Sequence, residues 1–219
     1  AIPIIKKRLR MDTSKVILDE ARPKLTRHLS ERAQQKVGQN VNLLGEVVLG
    51  NGEADHHYYH YLEALEAPDI NYISVKISGI YAQTHALNYE ESFPELVKRM
   101  SALYQKAIDF PHTDENGVKH AKFVNLDMEE YKDSHFTLRL FKTVLSKPEF
   151  RDYSAGIVVQ AYLPDAYDFQ TELLEFAKAR VAEGGAPLKM RLVKGCNLEM
   201  ETVISSLRGW PNPILSTKT

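Results

Sequence analysis

The stretch Phe123-Val124-Asn125-Leu126-Asp127 is a mostly apolar run that ends in a charged residue, and four other runs share this form. Those four runs are residues 41–46, 73–76, 157–160 and 188–194, and the strand that contains the second run is predicted to extend over residues 72–78. Apolar runs of this length without strict alternation are typical of buried parallel strands. Parallel strands place their carboxyl ends at one edge of the sheet, where α/β proteins build their sites. The five runs therefore predict an α/β protein with its chemistry at that edge.

The polar ends of the runs are spaced as expected for alternating strands and helices. Glu46 lies 30 residues before Lys76, and Asp127 lies 33 residues before Gln160. Arg191 follows Gln160 after 31 residues. One strand, one helix and two loops occupy about 30 residues. The longer interval of 51 residues between Lys76 and Asp127 predicts an insertion.

Helical periodicity fills the intervals between the strands. It predicts helices over residues 52–66, 93–108, 134–145, 164–182 and 197–207, and the Asn-Gly pair at 116–117 predicts a hairpin within the long interval. A further helical pattern over residues 13–36 is interrupted by Pro23, which predicts a kink or break. We expect an N-terminal helical arm over residues 1–39 and a β/α domain over residues 40–219.

Composition excludes several classes of function. The formal net charge of −1 gives no overall field that would attract nucleic acid or an anionic membrane. Cys196 is the single cysteine, so the chain has no internal disulfide and no zinc site built from several cysteines. No apolar stretch approaches the roughly 18 residues that cross a bilayer, and no secretion signal is recognisable. We expect a soluble protein inside the cell.

The segment Met190-Arg191-Leu192-Val193-Lys194-Gly195 places two cations and a glycine at a predicted junction between strand and helix. Such a junction suits an anion, because Gly195 lets backbone amides approach a phosphate while Arg191 and Lys194 supply charge. Exposed cations at the end of a strand would explain the same pattern equally well.

Carboxylates and a lysine mark the ends of two other strands. Asp127 is followed by Glu129 and Glu130, and such crowded carboxylates serve as acids, bases, metal ligands or helix caps. Asp127 is the inward candidate, whereas ordinary helix-start charges would explain its neighbours. Lys76 lies between Val75 and Ile77 within a strand, where an ammonium is costly to bury without a partner or a function.

Three further positions could bind ligands. Gln160 could donate and accept hydrogen bonds to a flat heterocycle, although a structural amide would fit as well. Glu46 has the same ambiguity, with a salt bridge as its structural alternative. His56 and His60 are four residues apart, as in some metal sites on helices, but no third ligand is evident and we expect no metal.

Five motifs occur in an order that resembles the proline dehydrogenase family, specifically the domain of the bacterial bifunctional proline-utilisation flavoproteins. The resemblance extends from about Asn40 to the end of the chain. The motifs are Asn42-Leu43-Leu44-Gly45-Glu46, Ser74-Val75-Lys76-Ile77-Ser78, Asn125-Leu126-Asp127-Met128-Glu129-Glu130, Gln160-Ala161-Tyr162 and Arg191-Leu192-Val193-Lys194-Gly195.

The resemblance implies a distorted (β/α)8 barrel, present here as about five β/α units after the helical arm. It implies bound FAD and the oxidation of L-proline to Δ1-pyrroline-5-carboxylate. By similarity, Arg191 lies near the flavin nitrogen that accepts the hydride, and Gln160 bonds the flavin edge. Lys194 and Gly195 would support the cofactor. The resemblance implies catalytic roles for Lys76, which would hold the proline carboxylate, and for Asp127, which would line the pocket around the amine. Glu46 would act as a gate that closes the site.

The resemblance also implies partners and a location. A quinone would accept the electrons, and nucleic acid is not expected as a partner. The resemblance leaves three further features open. They are a downstream aldehyde dehydrogenase domain, a homo-oligomer, and peripheral association of a cytoplasmic enzyme with the inner membrane.

Two departures from the family pattern limit this transfer. Asn197 stands where many relatives have an aromatic residue, and the family's last strands and its arginine-bearing helix have no counterpart before Thr219. We therefore expect the N-terminal part of the barrel. Two alternatives remain at this point: a Schiff-base aldolase that uses Lys76 as nucleophile, and a fragment that acts only in association through exposed strand edges.

Overall fold

The computed structural model describes residues 22–43, 50–82 and 88–215, together with Ile5, Arg8 and Asp12 singly. The chain divides into two compact units, residues 1–39 and residues 40–219. The first unit contains helix α1, Arg22–Gln34. Pro23 lies in the first turn of α1, where a proline is well tolerated because the missing N–H would have no partner there. The predicted helical stretch before it falls on residues outside the described ones.

The second unit alternates strands and helices. Its strands are β1 Val41–Asn42, β2 Tyr72–Lys76, β3 His112–Thr113, β4 Lys119–His120, β5 Phe123–Asp127, β6 Gly156–Gln160 and β7 Lys189–Val193. Its helices are α2 Asn51–Glu66, α3 Ile77–Ile80, α4 Tyr89–Asp109, α5 Ser134–Leu145, α6 Ala166–Ala182 and α7 Leu198–Arg208. Short 3-10 turns cover Tyr131–Asp133 and Pro148–Phe150.

The main sheet is parallel and has the strand order β1-β2-β5-β6-β7. Apart from the hairpin, each strand therefore lies beside the next one in the chain, as in successive β/α units of a barrel. This confirms the predicted α/β class and the partial barrel of about five units. The inserted hairpin is also confirmed, since β3 pairs with β4 in antiparallel fashion and Gly117 has a φ of 80° at the turn.

One face of the sheet is aliphatic and is covered by helices. Its side chains are at most 1% exposed on the three central strands: Ile73, Val75, Val124, Leu126, Ile157 and Val159. Helices α2, α4 and α6 contact β2, β5 and β6 respectively, and α4 contributes a buried stripe at helical spacing that includes Leu96, Met100 and Leu103. Burial of each such side chain contributes roughly 1.5–3 kcal/mol, so this layer holds the strands in place.

Two predictions about strands need correction. The second strand is predicted to run to Ser78, but it ends at Lys76 because Ile77 begins the short helix α3. The fifth strand is predicted to be buried on its faces but to have a free edge in a partial barrel; β7 does lie at an edge of the described sheet, but Met190 is 37% and Leu192 55% exposed. Among the described residues, no helix is long and apolar enough to cross a membrane.

Candidate active site

The strand register brings four predicted site residues to the face of the sheet opposite the aliphatic one. Side chains alternate between the two faces of a strand, and residues paired between strands share a face. Lys76 pairs with Asp127 across β2 and β5, and the same face continues through Gln160 on β6 and Arg191 on β7. Three of these residues end their strands, whereas Arg191 lies two residues before the end of β7.

Asp127 is the most heavily bonded of these residues. Its Oδ1 accepts hydrogen bonds from Asn125 Nδ2 at 2.7 Å, from Ser74 Oγ at 3.3 Å and from Arg191 Nη2 at 2.6 Å. Asp127 as a residue is 9% exposed, and its burial raises the pKa of the carboxyl group although Arg191, Ser74, Asn125 and Lys76 all act to lower it. A buried acid that is easier to protonate than usual lies at the centre of the polar face.

Arg191 reaches from β7 to Asp127 on β5. The guanidinium is partly exposed and makes its ion pair with Asp127 through Nη2. Its Nε is a buried donor without a hydrogen-bond partner among the described residues. Because an unsatisfied buried donor costs free energy, a ligand acceptor beside Arg191 would be favourable.

Lys76 forms an ion pair that the sequence did not predict. Its Nζ lies 3.3 Å from Glu129 Oε1, and Glu129 Oε2 accepts a hydrogen bond from Ser78 Oγ at 2.5 Å. The side chains of Lys76 and Glu129 are 26% and 24% exposed. The ion pair occupies the amine that a Schiff-base nucleophile would have to present to a carbonyl substrate. This contact therefore weighs against the aldolase alternative.

Gln160 is more restricted than its sequence suggested. Its Nε2 donates to the backbone oxygens of Glu129 at 2.6 Å and of Met128 at 3.3 Å. Two carbonyl acceptors on that side fix the orientation of the amide, because only the NH2 group can donate to them. The Oε1 is buried and has no partner among the described residues. The donor side of Gln160 is therefore the structural amide that the sequence left open, while its Oε1 could accept a hydrogen bond from a ligand.

The junction after β7 is shaped by the ring of Tyr162. Gly195 has a φ of 132°, and a Cβ built there would collide with the Tyr162 ring, so glycine is needed for both conformation and space. Lys194 has an exposed side chain, and its backbone oxygen accepts a hydrogen bond from Tyr162 N at 3.0 Å. Tyr162 Oη also accepts a hydrogen bond from the backbone N–H of Asn197 at 3.2 Å. The cation-bearing segment is thereby held against the end of β6.

Two further predicted candidates are Glu46 and the histidine pair. Glu46, the predicted gate, falls outside the described residues. The ring nitrogens Nε2 of His56 and His60 lie 3.1 Å apart on α2, and no group of three or more metal-binding side chains occurs in the described part of the chain. The residue missed by sequence reasoning is Glu129. Its closeness to Asp127 at a strand end was the available signal, but its contact with Lys76 depends on the register.

Comparison with known proteins places the chain in a family. A family model described as proline dehydrogenase matches residues 25–219. Proline Utilization A (PutA) from Corynebacterium freiburgense has 41% sequence identity and a TM-score of 0.87 over 96% of this chain and 21% of that one. PutA from Bdellovibrio bacteriovorus, in a structure inactivated by N-propargylglycine, has 31% identity and a TM-score of 0.75 over 89% of this chain and 21% of that one. A search of curated proteins found no match.

The chain therefore spans about a fifth of the length of the solved structures it resembles.

Proposed function

The chain belongs to the proline dehydrogenase family, and we propose that it contributes the flavin and substrate sites of an enzyme that oxidises L-proline to Δ1-pyrroline-5-carboxylate. The observation that carries this proposal is the gathering of Lys76, Asp127, Gln160 and Arg191 on one face of the sheet. Each residue belongs to a different strand. A shared site near the carboxyl ends of the strands is the arrangement in which α/β barrels carry out catalysis.

The residues present fit a flat nitrogen heterocycle such as the isoalloxazine ring of FAD. Gln160 offers a buried acceptor without a partner, and Arg191 offers a buried donor without a partner among the described residues, from neighbouring strands. An adjacent acceptor and donor complement the alternating N–H and carbonyl groups of such a ring. Lys194 and Gly195 follow on the same strand-to-helix junction, where a cation and a tight backbone suit the rest of the cofactor.

When bound, the cofactor supplies an acceptor for the hydride that leaves the proline carbon beside the ring nitrogen. The residues of this chain prepare the substrate for that loss. Lys76 presents an ammonium to the proline carboxylate, and Asp127 presents a carboxylate near the amine. Arg191 offsets the charge of Asp127 and favours a more negative cofactor beside it.

The wider function follows the family. We propose that the electrons pass to a quinone, and that a cytoplasmic enzyme meets that quinone by peripheral contact with the inner membrane. An aldehyde dehydrogenase domain in the same polypeptide would consume the product, in keeping with the name proline utilization borne by the structural relatives. Glu46 is retained as the proposed gate of the substrate site. A homo-oligomer is also proposed.

Flavin absorbance and proline-dependent reduction of a dye test the proposal directly. We expect the polypeptide as its organism makes it to carry FAD and to reduce the dye with L-proline. We also expect N-propargylglycine to inactivate it, as that compound inactivated the relative from Bdellovibrio bacteriovorus. D-proline is the matched control substrate. A protein that carries FAD and oxidises another amine but not L-proline would overturn the substrate assignment, and one that binds no flavin would overturn the whole proposal.

A further inference from the structure

Glu129 contacts both Lys76 and Gln160, to which the proposed function assigns different roles: Lys76 binds the substrate carboxylate and Gln160 binds the cofactor. We propose that Glu129 is a positioning residue that holds the Lys76 ammonium in place for a substrate carboxylate, an inference that rests on the proposed function. The sequence pattern alone explained Glu129 as one of several charges at the start of a helix. Its contacts in the structure indicate the more specific role of orienting Lys76.

The carboxylate of Glu129 is fixed by two partners. Ser78 Oγ donates to Oε2 at 2.5 Å, and Lys76 Nζ lies 3.3 Å from Oε1. About three quarters of each charged side chain is shielded from solvent, so their attraction is screened less than that of a surface pair. Each oxygen of the carboxylate therefore has its own partner, and the group has little freedom to turn.

The support beneath Ser78 is itself rigid. Ser78 belongs to helix α3, whose residues Ile77, Gly79 and Ile80 are buried. A Cβ at Gly79 would lie 2.9 Å from Tyr61 Oη, which shows how closely α3 packs on the buried ring of Tyr61. A hydroxyl on such an element can orient a carboxylate without a large cost in conformational freedom.

The backbone of Glu129 is anchored on the cofactor side. Its carbonyl accepts the 2.6 Å hydrogen bond from the buried Gln160 amide. Two residues further along, the backbone N–H of Tyr131 donates to the buried carboxylate of Glu201 at 2.7 Å. The loop between β5 and α5 is thus tied on both sides of Glu129, and one residue connects Lys76 to Gln160.

A lysine benefits from such an anchor. Its ammonium is at the end of a four-carbon stem, and a substrate that binds it has to arrest the motion of that stem. The ion pair with Glu129 lies on one side of the ammonium and leaves donors on the other side for a ligand. Arresting the stem beforehand lowers the entropic cost of binding, which strengthens binding of the ground state and the transition state alike.

Glu129→Gln tests this inference in the flavin-loaded polypeptide. The non-reactive probe is cyclopentanecarboxylate, which has the ring and carboxylate of proline but no amine to oxidise, and calorimetry measures its dissociation constant. We expect that constant and the KM for proline each to rise about three- to tenfold while kcat changes by less than about twofold. Ser78→Ala should act in the same direction, and Ser78→Thr should restore tight binding because it keeps the hydroxyl.

Glu130→Gln is the matched control, because it removes the same charge one residue away. Glu130 pairs with Lys132 at 2.8 Å and has no described contact with Lys76. We expect this variant to bind the probe like the unaltered protein. A second test is made in the Lys76→Met background, where Glu129→Gln should have no further effect because Glu129 acts through Lys76.

The outcomes separate this inference from the proposed function. If the unaltered protein oxidises proline and Glu129→Gln binds the probe equally or more tightly, the role of Glu129 is overturned and the enzyme assignment stands. The same holds if Glu130→Gln weakens binding as much, or if the effect of Glu129→Gln persists without Lys76. If the unaltered protein neither oxidises proline nor binds the probe, both proposals are overturned.

Discussion

Asp127 is a carboxylate whose hydrogen bonds do not fully compensate for its burial. Burial is the largest influence on its pKa and raises it above the ordinary value of 3.8, whereas Arg191 and the amide of Asn125 act to lower it. A group whose pKa is raised on folding adds stability that is fully present below its unfolded pKa and lost as the pH rises through its folded pKa. Near neutral pH, the ionised Asp127 therefore lowers the free energy of unfolding relative to an uncharged side chain at the same position.

Asp127→Asn tests this cost. The amide keeps the size of the side chain and an acceptor oxygen but removes the charge, so the gain in the free energy of unfolding should be larger at about pH 7 than at about pH 4. Urea unfolding at both pH values measures it. We expect proline oxidation to fall by about tenfold or more in the same variant, because the amine loses its carboxylate.

Asp114→Asn provides a control with the opposite sign. Its hydrogen bond with His120 is the largest of the influences that lower the pKa of Asp114. A lowered pKa adds stability that is present above the unfolded pKa of 3.8 and lost as the pH falls through the folded pKa, so this variant should lose stability more at about pH 7 than at about pH 3. If both variants respond to pH in the same sense, the account of Asp127 is wrong.

The site residues differ in how far the sequence could predict them. Lys76, Asp127, Gln160 and Arg191 were found because a polar residue within or at the end of an apolar strand is costly unless it has a function. The unpaired oxygen of Gln160 could not be predicted, since it depends on which carbonyls meet the amide across 31 residues of chain. Their roles in binding FAD and proline stay predictions.

At the scale of elements, the junction between β7 and α7 depends on a single glycine. Gly195 combines a φ of 132° with a close approach to the Tyr162 ring. We expect Gly195→Ala to lower the free energy of unfolding by about 1–3 kcal/mol from the backbone conformation alone, and further through the collision with the ring. Thermal and urea unfolding measure the loss.

Gly209→Ala is the matched control at the other end of α7. Gly209 also has a positive φ, of 63°, but a Cβ there would meet nothing within 4 Å. Its cost should be about 1–2 kcal/mol, the penalty for a left-handed residue with a side chain. Equal losses in the two variants would show that contact with Tyr162 contributes nothing.

A second element-scale feature is Arg180, which joins the ends of several elements through backbone carbonyls. It donates hydrogen bonds to the backbone oxygens of Leu145, Phe150, Arg151, Tyr153 and Ala186. The side chain is 8% exposed, and burial lowers its pKa. The planar fork satisfies carbonyls at the end of α5 and in the loops beside β6 and β7, which an ammonium cannot reach together.

Arg180→Lys should therefore destabilise the fold strongly, by about 3–5 kcal/mol, because buried carbonyls lose their donors and the new charge is poorly solvated. Arg139→Lys is the control, since Arg139 pairs with the exposed Glu90 and should change stability little. Chemical denaturation of the two variants and the unaltered chain decides the matter. Similar small losses would mean that water replaces the bonds of Arg180.

Element boundaries were predictable where caps and breakers mark them. The helix over Ser134–Leu145 agrees with its prediction, and the Asn-Gly pair correctly located the hairpin. Helix α3 was missed because Ile-Ser-Gly-Ile is as compatible with a strand as with one helical turn, and only packing on Tyr61 distinguishes them. Local sequence does not contain that information.

At the scale of the whole molecule, the parallel order of the sheet follows from the repeated β/α pattern, whereas the exposure of each strand does not. Strand β7 has the composition of a buried strand but occupies an edge of the described sheet. Exposed apolar residues continue onto helix α7, which follows it: Leu198, Met200, Val203 and Leu207. That the arm of residues 1–39 and the domain of residues 40–219 fold independently stays a prediction.

Within the described residues nothing pairs with the outer edge of β7, and such an edge offers backbone groups and apolar side chains to another chain, so the 219-residue chain prepared alone should self-associate. Leu192, 55% exposed on β7, lies on the outer face, and Leu192→Lys should weaken association because pairing would desolvate an ammonium. We expect at least about a tenfold rise in the dissociation constant measured by sedimentation velocity. Val118→Lys is the control, since Val118 is 50% exposed near the hairpin turn. Association that both variants weaken equally, or neither weakens, would place the contact away from β7, and the fragment alternative based on strand edges would fail with it.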